Sequence, residues 1–193
     1  NFMVNALAGT GKTTTLGMIQ ENANEAPILC IAFNKRAAED MEKKFGGGTT
    51  TIRTLNGVGH RIWMKTVAKI NLEPQKMAKL FKEHTSTLTK DGRNEAYEVY
   101  WEVLNGVSMA KALGYVPEGV YPNAKRLIDQ SGLSQRLEDR PNDTTLSIID
   151  DLLTLSIKAA YKGWIDFNDQ IYMPALFGGT FPRFPLVLID EWQ

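Results

Sequence analysis

The amino-acid sequence predicts an α/β fold: a parallel sheet with helices on both faces, interrupted by an inserted all-helical segment. Near both ends of the chain, apolar runs typical of buried strands alternate with helical patterns, which is the order that produces parallel sheets. A glycine-rich turn joins the first run to the first helix. Between residues 67 and 145 the strand patterns stop, and short helical segments are separated by Gly, Pro and Asn.

Three strands are predicted in the first third of the chain, at residues 2–7, 27–33 and 49–53. A predicted helix follows each of them. The first helix starts in the glycine-rich turn, and the third covers residues 56–65. On the second helix, four apolar side chains share one face: Ala37, Ala38, Met41 and Phe45.

The last third of the chain contains two predicted helices and a strand. The first helix begins near Asp143, interpreted as its N-cap, and ends at Gly163. Its apolar side chains form one stripe: Leu146, Ile149, Leu153, Ile157 and Ala160. The second helix runs through Met173 and Leu176, and residues 184–189 form an apolar strand. The predicted organisation is therefore a first core segment at 1–66, a helical insertion at 67–145 and a second core segment at 146–193.

Composition excludes several classes of protein. The chain has 193 residues, 43% of them hydrophobic and 23% charged, which is typical of a soluble globular protein and not of a disordered one. It has no apolar run long enough to cross a membrane and no signal-peptide pattern at its start. One cysteine and two histidines offer neither an internal disulfide nor a zinc-ligand spacing. Net charge is zero, but residues 35–93 hold 13 Lys/Arg against 6 Asp/Glu, which favours a surface for a polyanion.

Residues 8–13, with the sequence AGTGKT, are the first pattern that carries chemistry. Backbone N–H groups of a glycine loop at a helix N-terminus bind polyphosphate when no side chain blocks the approach. Lys12 would place a positive charge on the β- and γ-phosphates, and the Thr13 hydroxyl would be a ligand of Mg²⁺. The strict pattern begins with Gly where this chain has Ala6. The predicted ATP site consists of Ala8, Gly9, Thr10, Gly11, Lys12, Thr13 and Thr14.

An acidic pair, Asp190 and Glu191, follows the last predicted strand. A nucleoside triphosphatase needs one carboxylate at a strand end to hold Mg²⁺ and a second to orient and deprotonate the attacking water. Asp190 fits the first role and Glu191 the second. Together with the glycine loop, the pair predicts hydrolysis of a nucleoside triphosphate.

Five segments of the chain resemble motifs of the superfamily 1 helicases of the UvrD/Rep type and occur in the same order as in that family. The glycine loop and residues 190–193 (DEWQ) are similar to motifs I and II of that family. Residues 31–38 (IAFNKRAA) resemble motif Ia, and their sequence is most similar to that of the F-box helicase and phage branches. Residues 54–57 (TLNG) resemble motif Ib. Residues 166–169 (DFND) are similar to a D-F-D-D segment that precedes motif II, and the helical insertion corresponds to the variable subdomain called 1B.

The resemblance implies a RecA-like ATPase core with ATP and Mg²⁺ as cofactors. Its implied catalytic residues are Lys12, Glu191 and Gln193, the last coupling the γ-phosphate to the DNA site, while Thr13 and Asp190 bind the metal. Implied partners are single-stranded DNA and single-strand/duplex junctions, with translocation usually 3′ to 5′. The implied DNA-binding residues are Phe33, which meets a base, together with Asn34, Lys35, Thr54 and Asn56.

The resemblance also implies a second RecA-like domain that is missing from this chain, so that the chain is expected to be part of a longer motor. A cytoplasmic protein, or one of the nucleoid or nucleus, is expected, with no membrane partner. Two other functions stay open: a P-loop phosphotransferase acting on a small molecule, and a non-catalytic DNA-binding scaffold with a nucleotide fold.

Several other side chains receive structural interpretations. Three tryptophans, Trp63, Trp101 and Trp164, are predicted to be packing residues, and Cys30 a small core residue. Solvation is expected for Lys76, and Asp166 is either a helix N-cap or a functional group.

Overall fold

The computed structural model describes residues 10–137 and 141–190. The predicted strand at residues 2–7 lies outside the described residues. The elements in chain order are α1 (Lys12–Asn22), β1 (Ile28–Ala32), α2 (Lys35–Phe45), β2 (Thr50–Thr54), α3 (Leu55–Trp63), β3 (Asn71–Leu72), α4 (Lys76–Ser86), α5 (Lys90–Glu98), α6 (Tyr100–Leu113), α7 (Gln130–Arg136), α8 (Asp143–Tyr161), β4 (Trp164–Ile165), α9 (Asp169–Leu176) and β5 (Leu186–Ile189).

The chain divides into two compact units. The sheet unit contains residues 1–58 and 181–193, and the helical unit contains residues 59–180. These boundaries differ from the predicted ones at 66 and 145, since the segment 146–180 packs with the helical unit. The physical reason is the apolar stripe of α8, which packs against α4 and α6.

A parallel sheet in the order β2-β1-β5 forms the sheet unit. Ala32 on β1 pairs with Thr54 on β2, and Ile31 on β1 pairs with Ile189 on β5. Neighbouring parallel strands must be joined by crossover connections, and the segments between β1 and β2 and between β2 and β5 provide them. The prediction of an α/β fold with a parallel sheet flanked by helices is confirmed.

The core of the sheet unit lies between the sheet and the helices α1 and α2. Alternate residues of β1 point to this face, and Cys30 is fully buried among them, so its predicted core role is confirmed. Burial raises the pKa of the Cys30 thiol to about 11, which keeps it protonated at neutral pH. From α2, Met41 is fully buried and Phe45 packs at the edge of the same cluster. Both helices lie on one face, and helices on the second face stay a prediction.

Helix α8 is the centre of the helical unit. Four residues of its predicted stripe are fully buried: Ile149, Leu153, Ile157 and Ala160. Asn142, not Asp143, is the N-cap, since its Oδ1 accepts the N–H of Thr145 at 2.8 Å. Asp143 lies in the first turn instead, where its negative charge interacts favourably with the helix dipole.

A two-stranded parallel sheet, β3 with β4, was not predicted from the sequence. Two-residue strands carry too little periodicity to be recognised, and both residues of β3 are exposed. Gly163 makes this pairing possible. Its φ is +84°, and a Cβ there would lie 1.8 Å from the carbonyl oxygen of Lys69. Among the described residues, none of the helices combines the length and the apolarity needed to cross a membrane.

Candidate nucleotide and nucleic-acid site

The carboxyl ends of the three parallel strands bring the predicted site residues to one edge of the sheet. Phe33 follows β1, Thr54 ends β2, and Asp190 follows β5. The strand registers place these positions side by side, because Ala32 is opposite Thr54 and Ile31 is opposite Ile189. Ligands of open α/β sheets bind outside this edge.

The glycine loop leads into α1 as predicted. Gly11 precedes the helix with φ 83° and ψ 23°, a left-handed conformation that suits glycine and disfavours other residues. Its carbonyl accepts the N–H of Thr15 at 2.9 Å, which closes the first turn. No acidic residue lies in that turn, and the first N–H groups of a helix have no acceptor within it. The N-terminus of α1 is therefore suited to an anion.

The Thr13 hydroxyl and the Asp190 carboxylate meet across 177 residues of sequence. The hydroxyl donates to Asp190 Oδ2 at 3.2 Å. Asp190 is only 9% exposed, and its backbone N–H donates to the carbonyl of Ile31 at 2.9 Å, which extends the sheet by one bond beyond β5. Both predicted metal-binding residues thus lie together beside the start of α1.

The donor atoms of this pair fit Mg²⁺. A hydroxyl and a carboxylate are hard oxygen donors, and Mg²⁺ is bound in such sites by one or two protein oxygens together with phosphates and water. Within the described part of the chain there is no cluster of three His, Cys, Asp or Glu side chains that could hold a metal by itself. Oxygen atoms from a bound phosphate would therefore have to complete the coordination.

Part of the predicted nucleotide site lies outside the described residues, namely Ala8, Gly9, Glu191 and Gln193. Thr10 and Thr14 are exposed on either side of the start of α1, and Lys12, its first residue, is partly buried.

Among the predicted DNA-binding residues, Phe33 is an exposed aromatic ring at the end of β1. Its exposed fraction is 76%. Asn34 comes next and caps α2, since its Oδ1 accepts the N–H of Ala37 at 2.8 Å. Lys35 is 91% exposed in its side chain and lies 3.8 Å from Glu39, one turn along the helix. An exposed aromatic ring beside a capped helix N-terminus and a lysine offers both a stacking surface and groups that attract phosphate.

Thr54 at the end of β2 caps a helix, as Asn34 does. Its Oγ1 accepts the N–H of Gly57 at 3.0 Å and so caps the start of α3, in which Asn56 is partly buried. The predicted DNA-binding side chains of Asn34 and Thr54 therefore each have a capping role. Sequence reasoning did not predict this, although Asn and Thr at the start of a helical pattern are the signal for it.

The segment Asp166–Asp169 forms a buried charged turn in the helical unit. The N–H of Asp166 donates to Asp169 Oδ2 and the N–H of Asp169 donates to Asp166 Oδ1, both at 2.9 Å. Lys111 Nζ lies 2.6 Å from Asp166 Oδ2 and 2.7 Å from Asp169 Oδ1. Lys76 Nζ donates to Asp169 Oδ2 at 2.6 Å and to the carbonyl of Ser156 at 2.7 Å.

These four side chains, here called the buried ionic cluster, consist of Lys76, Lys111, Asp166 and Asp169. Each of the four residues is at most 7% exposed. Although burial acts to raise the pKa of Asp169, Lys111 and Lys76 outweigh it and hold that pKa below its usual value. Burial lowers the pKa of Lys76 to about 8 against the opposing effect of Asp169. The expectation that Lys76 is solvated is wrong, because its ammonium group is paired inside the core.

The predictions for Trp63 and Trp101 have different outcomes. Trp63 is fully buried and its Nε1 donates to the carbonyl of Ala160 at 3.1 Å, so its packing role is confirmed. Trp101 is 73% exposed, so its predicted packing role is wrong; it lies on the side of α6 opposite the buried Val103 and Val107.

A comparison with protein-family models matches residues 1–162 to the AAA domain, a P-loop domain found in UvrD/Rep-like helicases. No individual curated protein matches the chain. Domains of this class generally bind ATP with Mg²⁺.

Proposed function

This chain belongs to the AAA domain family, and on that premise we propose that it is the ATP-binding motor domain of a DNA helicase. In this proposal it hydrolyses ATP to move along single-stranded DNA, in the 3′ to 5′ sense implied by its motifs, and to separate duplex at junctions. One observation carries the proposal: the pair of Thr13 and Asp190 and the exposed ring of Phe33 lie on the same edge of one parallel sheet.

The nucleotide half of the proposal rests on the start of α1. Lys12 would neutralise the β- and γ-phosphates, while the helix N-terminus would donate N–H groups to them. Thr13 and Asp190 would hold Mg²⁺, which when bound supplies positive charge to the phosphates. Glu191, assigned from its position in the sequence, would accept the proton of the attacking water. That water forms the new bond to the γ-phosphorus as the bond to the β–γ bridging oxygen breaks, which gives ADP and phosphate.

The DNA half rests on the strand ends of β1 and β2. Phe33 would stack on an unpaired base, since every base offers a π-face and stacking does not require a particular sequence. Lys35 and the N-termini of α2 and α3 would attract backbone phosphates. Because β1 lies between β2 and β5, a shift of β5 at the nucleotide would act directly on the strand that carries Phe33.

The alternative of a small-molecule phosphotransferase would use the same nucleotide site. It gives no role to an aromatic ring that is 76% exposed on the next strand. A non-catalytic scaffold would give no role to the adjacent Thr13 and Asp190. We expect full rates of hydrolysis to require a second RecA-like domain, because an arginine donated across the cleft contributes about three to five orders of magnitude in related chemistry.

Paired binding measurements test the two halves separately. A fluorescent ATP analogue with Mg²⁺ should bind the wild-type chain and bind Lys12→Ala much more weakly, with Lys44→Ala, a change on the exposed end of α2, as the matched control. A labelled oligothymidylate should bind the wild type and lose affinity in Phe33→Ala, with Phe181→Ala as the control. Phe181 lies in the same unit and is 52% exposed. Nucleotide binding with no DNA binding would favour the phosphotransferase, and DNA binding with no nucleotide binding would favour the scaffold.

A further inference from the structure

A cluster of exposed aromatic rings lies where α5 passes into α6. We call it the aromatic–acidic surface; it consists of Tyr97, Tyr100 and Trp101 with Glu98 and Glu102. Trp101 is 73% and Tyr97 49% exposed. The Tyr97 and Tyr100 rings are stacked with centroids 6.4 Å apart, and Trp101 lies edge-on to Tyr100 at 4.9 Å. The three rings therefore form one contiguous aromatic surface.

The rings are supported from inside the helical unit. Phe81 of α4 is 1% exposed and contacts Tyr97 at 5.3 Å and Tyr100 at 4.8 Å between ring centroids, in edge-to-face geometry. Such pairs favour fixed ring orientations. A ligand would therefore meet rings that are already held in place, so that little conformational entropy is lost on binding.

Along the chain, the charged residues that share this segment with the rings all have one sign. From residue 94 to residue 110 the sequence contains three glutamates and no Lys, Arg or His. Those glutamates, Glu95, Glu98 and Glu102, are all exposed. The nearest preceding cation, Arg93, donates to the carbonyls of Thr85 and Ser86 at the end of α4, so its guanidinium is engaged there.

An aromatic face rimmed by carboxylates attracts cations and repels phosphate. A guanidinium or ammonium group over a tryptophan ring is favoured by the ring quadrupole, and nearby carboxylates add Coulomb attraction. The same carboxylates would oppose the backbone of DNA or RNA. Charge therefore favours a protein partner over a nucleic acid.

We propose that the aromatic–acidic surface docks a basic segment of a partner protein, with an Arg or Lys side chain placed on the face of Trp101. This inference is independent of the proposed helicase function, because the surface lies wholly in the helical unit.

Fluorescence anisotropy with a short labelled peptide of alternating Arg and Gly tests the proposal. Wild type should bind it, and Trp101→Ala should weaken binding about two- to fivefold, the range for a cation over an exposed ring. Trp101→Phe should recover part of the loss. The double change Glu98→Gln with Glu102→Gln should weaken binding and reduce its dependence on salt. The controls are Leu127→Ala, a 70% exposed apolar side chain in the same unit, and Glu83→Gln, an exposed glutamate on α4; neither should alter binding.

Three outcomes would overturn the proposal. One is equal affinity of the peptide for wild type and Trp101→Ala. Another is a preference for oligothymidylate over the peptide that is lost in Trp101→Ala, which would assign the surface to nucleic acid. The third is self-association of the wild-type chain, seen by sedimentation velocity and lost in Trp101→Ala, which would assign it to a second copy.

Discussion

In the buried ionic cluster, we expect one substitution to lower the stability of the wild type but to raise the stability of a second variant. Asp169 Oδ2 accepts from Lys76 at 2.6 Å and from the N–H of Asp166 at 2.9 Å, and Asp169 Oδ1 lies 2.7 Å from Lys111 Nζ as an ion pair. Asp169→Asn would leave two buried ammonium groups with one carboxylate between them. Removing one partner of a buried ion pair costs about 3–5 kcal/mol of unfolding free energy, because it leaves an uncompensated charge.

Lys76→Met should cost less. Asp169 would still be paired with Lys111 and accept from a backbone N–H, and a methionine of similar length would fill the space. In the Asp169→Asn background, however, Lys76→Met removes the unpaired buried cation and leaves Lys111 with Asp166 as a neutral pair. The same substitution should therefore destabilise the wild type and stabilise the Asp169→Asn variant. Coupling energies between contacting residues are typically about 0.5–3 kcal/mol.

Urea unfolding followed by far-UV circular dichroism at neutral pH measures all four chains of this cycle. The expected order of stability is wild type, Lys76→Met, the double variant, and Asp169→Asn as the least stable. Equal losses of stability on Lys76→Met in both backgrounds would contradict this prediction, because they would show that the two side chains are not coupled.

Three further predictions concern the folded chain. Between pH 8 and pH 10 the stability of the wild type should rise relative to that of Lys76→Met. The pKa of Lys76 is about 8 in the folded chain and 10.5 ordinarily, so the unfolded chain binds more protons in this range. A difference in urea midpoints that does not change between these pH values would contradict the prediction. Gly163→Ala should destabilise the helical unit by several kcal/mol, since its Cβ would lie 1.8 Å from a carbonyl oxygen, and unaltered thermal unfolding would exclude that contact. Asn34→Ala should lower stability by about 1 kcal/mol through loss of the α2 cap, whereas Asn34→Asp should retain most of it; equal urea midpoints for the two variants would exclude the cap.

The described elements of the sheet unit could be predicted because β1 and β5 are apolar runs, β2 is rich in β-branched residues and the turns contain glycine. Cys30, Met41 and Gly11 have the environments that their residue types predict. The meeting of Thr13 with Asp190 followed from two motifs, although no local pattern in the sequence reports their distance.

The helical unit was predicted less well, for physical reasons. Its extent depends on whether α8 packs on helices or on the sheet, and one apolar stripe serves either partner equally. Lys76 and Lys111 carry charge, so composition places them on the surface, whereas the partners that bury them are 93 and 55 residues away in sequence. Trp101 shows the converse case, since a tryptophan in a helical pattern is usually buried and this one is not.

ATP hydrolysis with and without single-stranded DNA distinguishes a DNA motor from a small-molecule phosphotransferase. It should be measured on the longest available chain that contains these residues, beside Lys12→Ala and Phe33→Ala. Turnover by the wild type should rise strongly with DNA and be lost in Lys12→Ala. In Phe33→Ala it should keep its basal rate but need more DNA for stimulation. Turnover that is indifferent to DNA in the wild type would contradict the motor and leave a phosphotransferase as the better description.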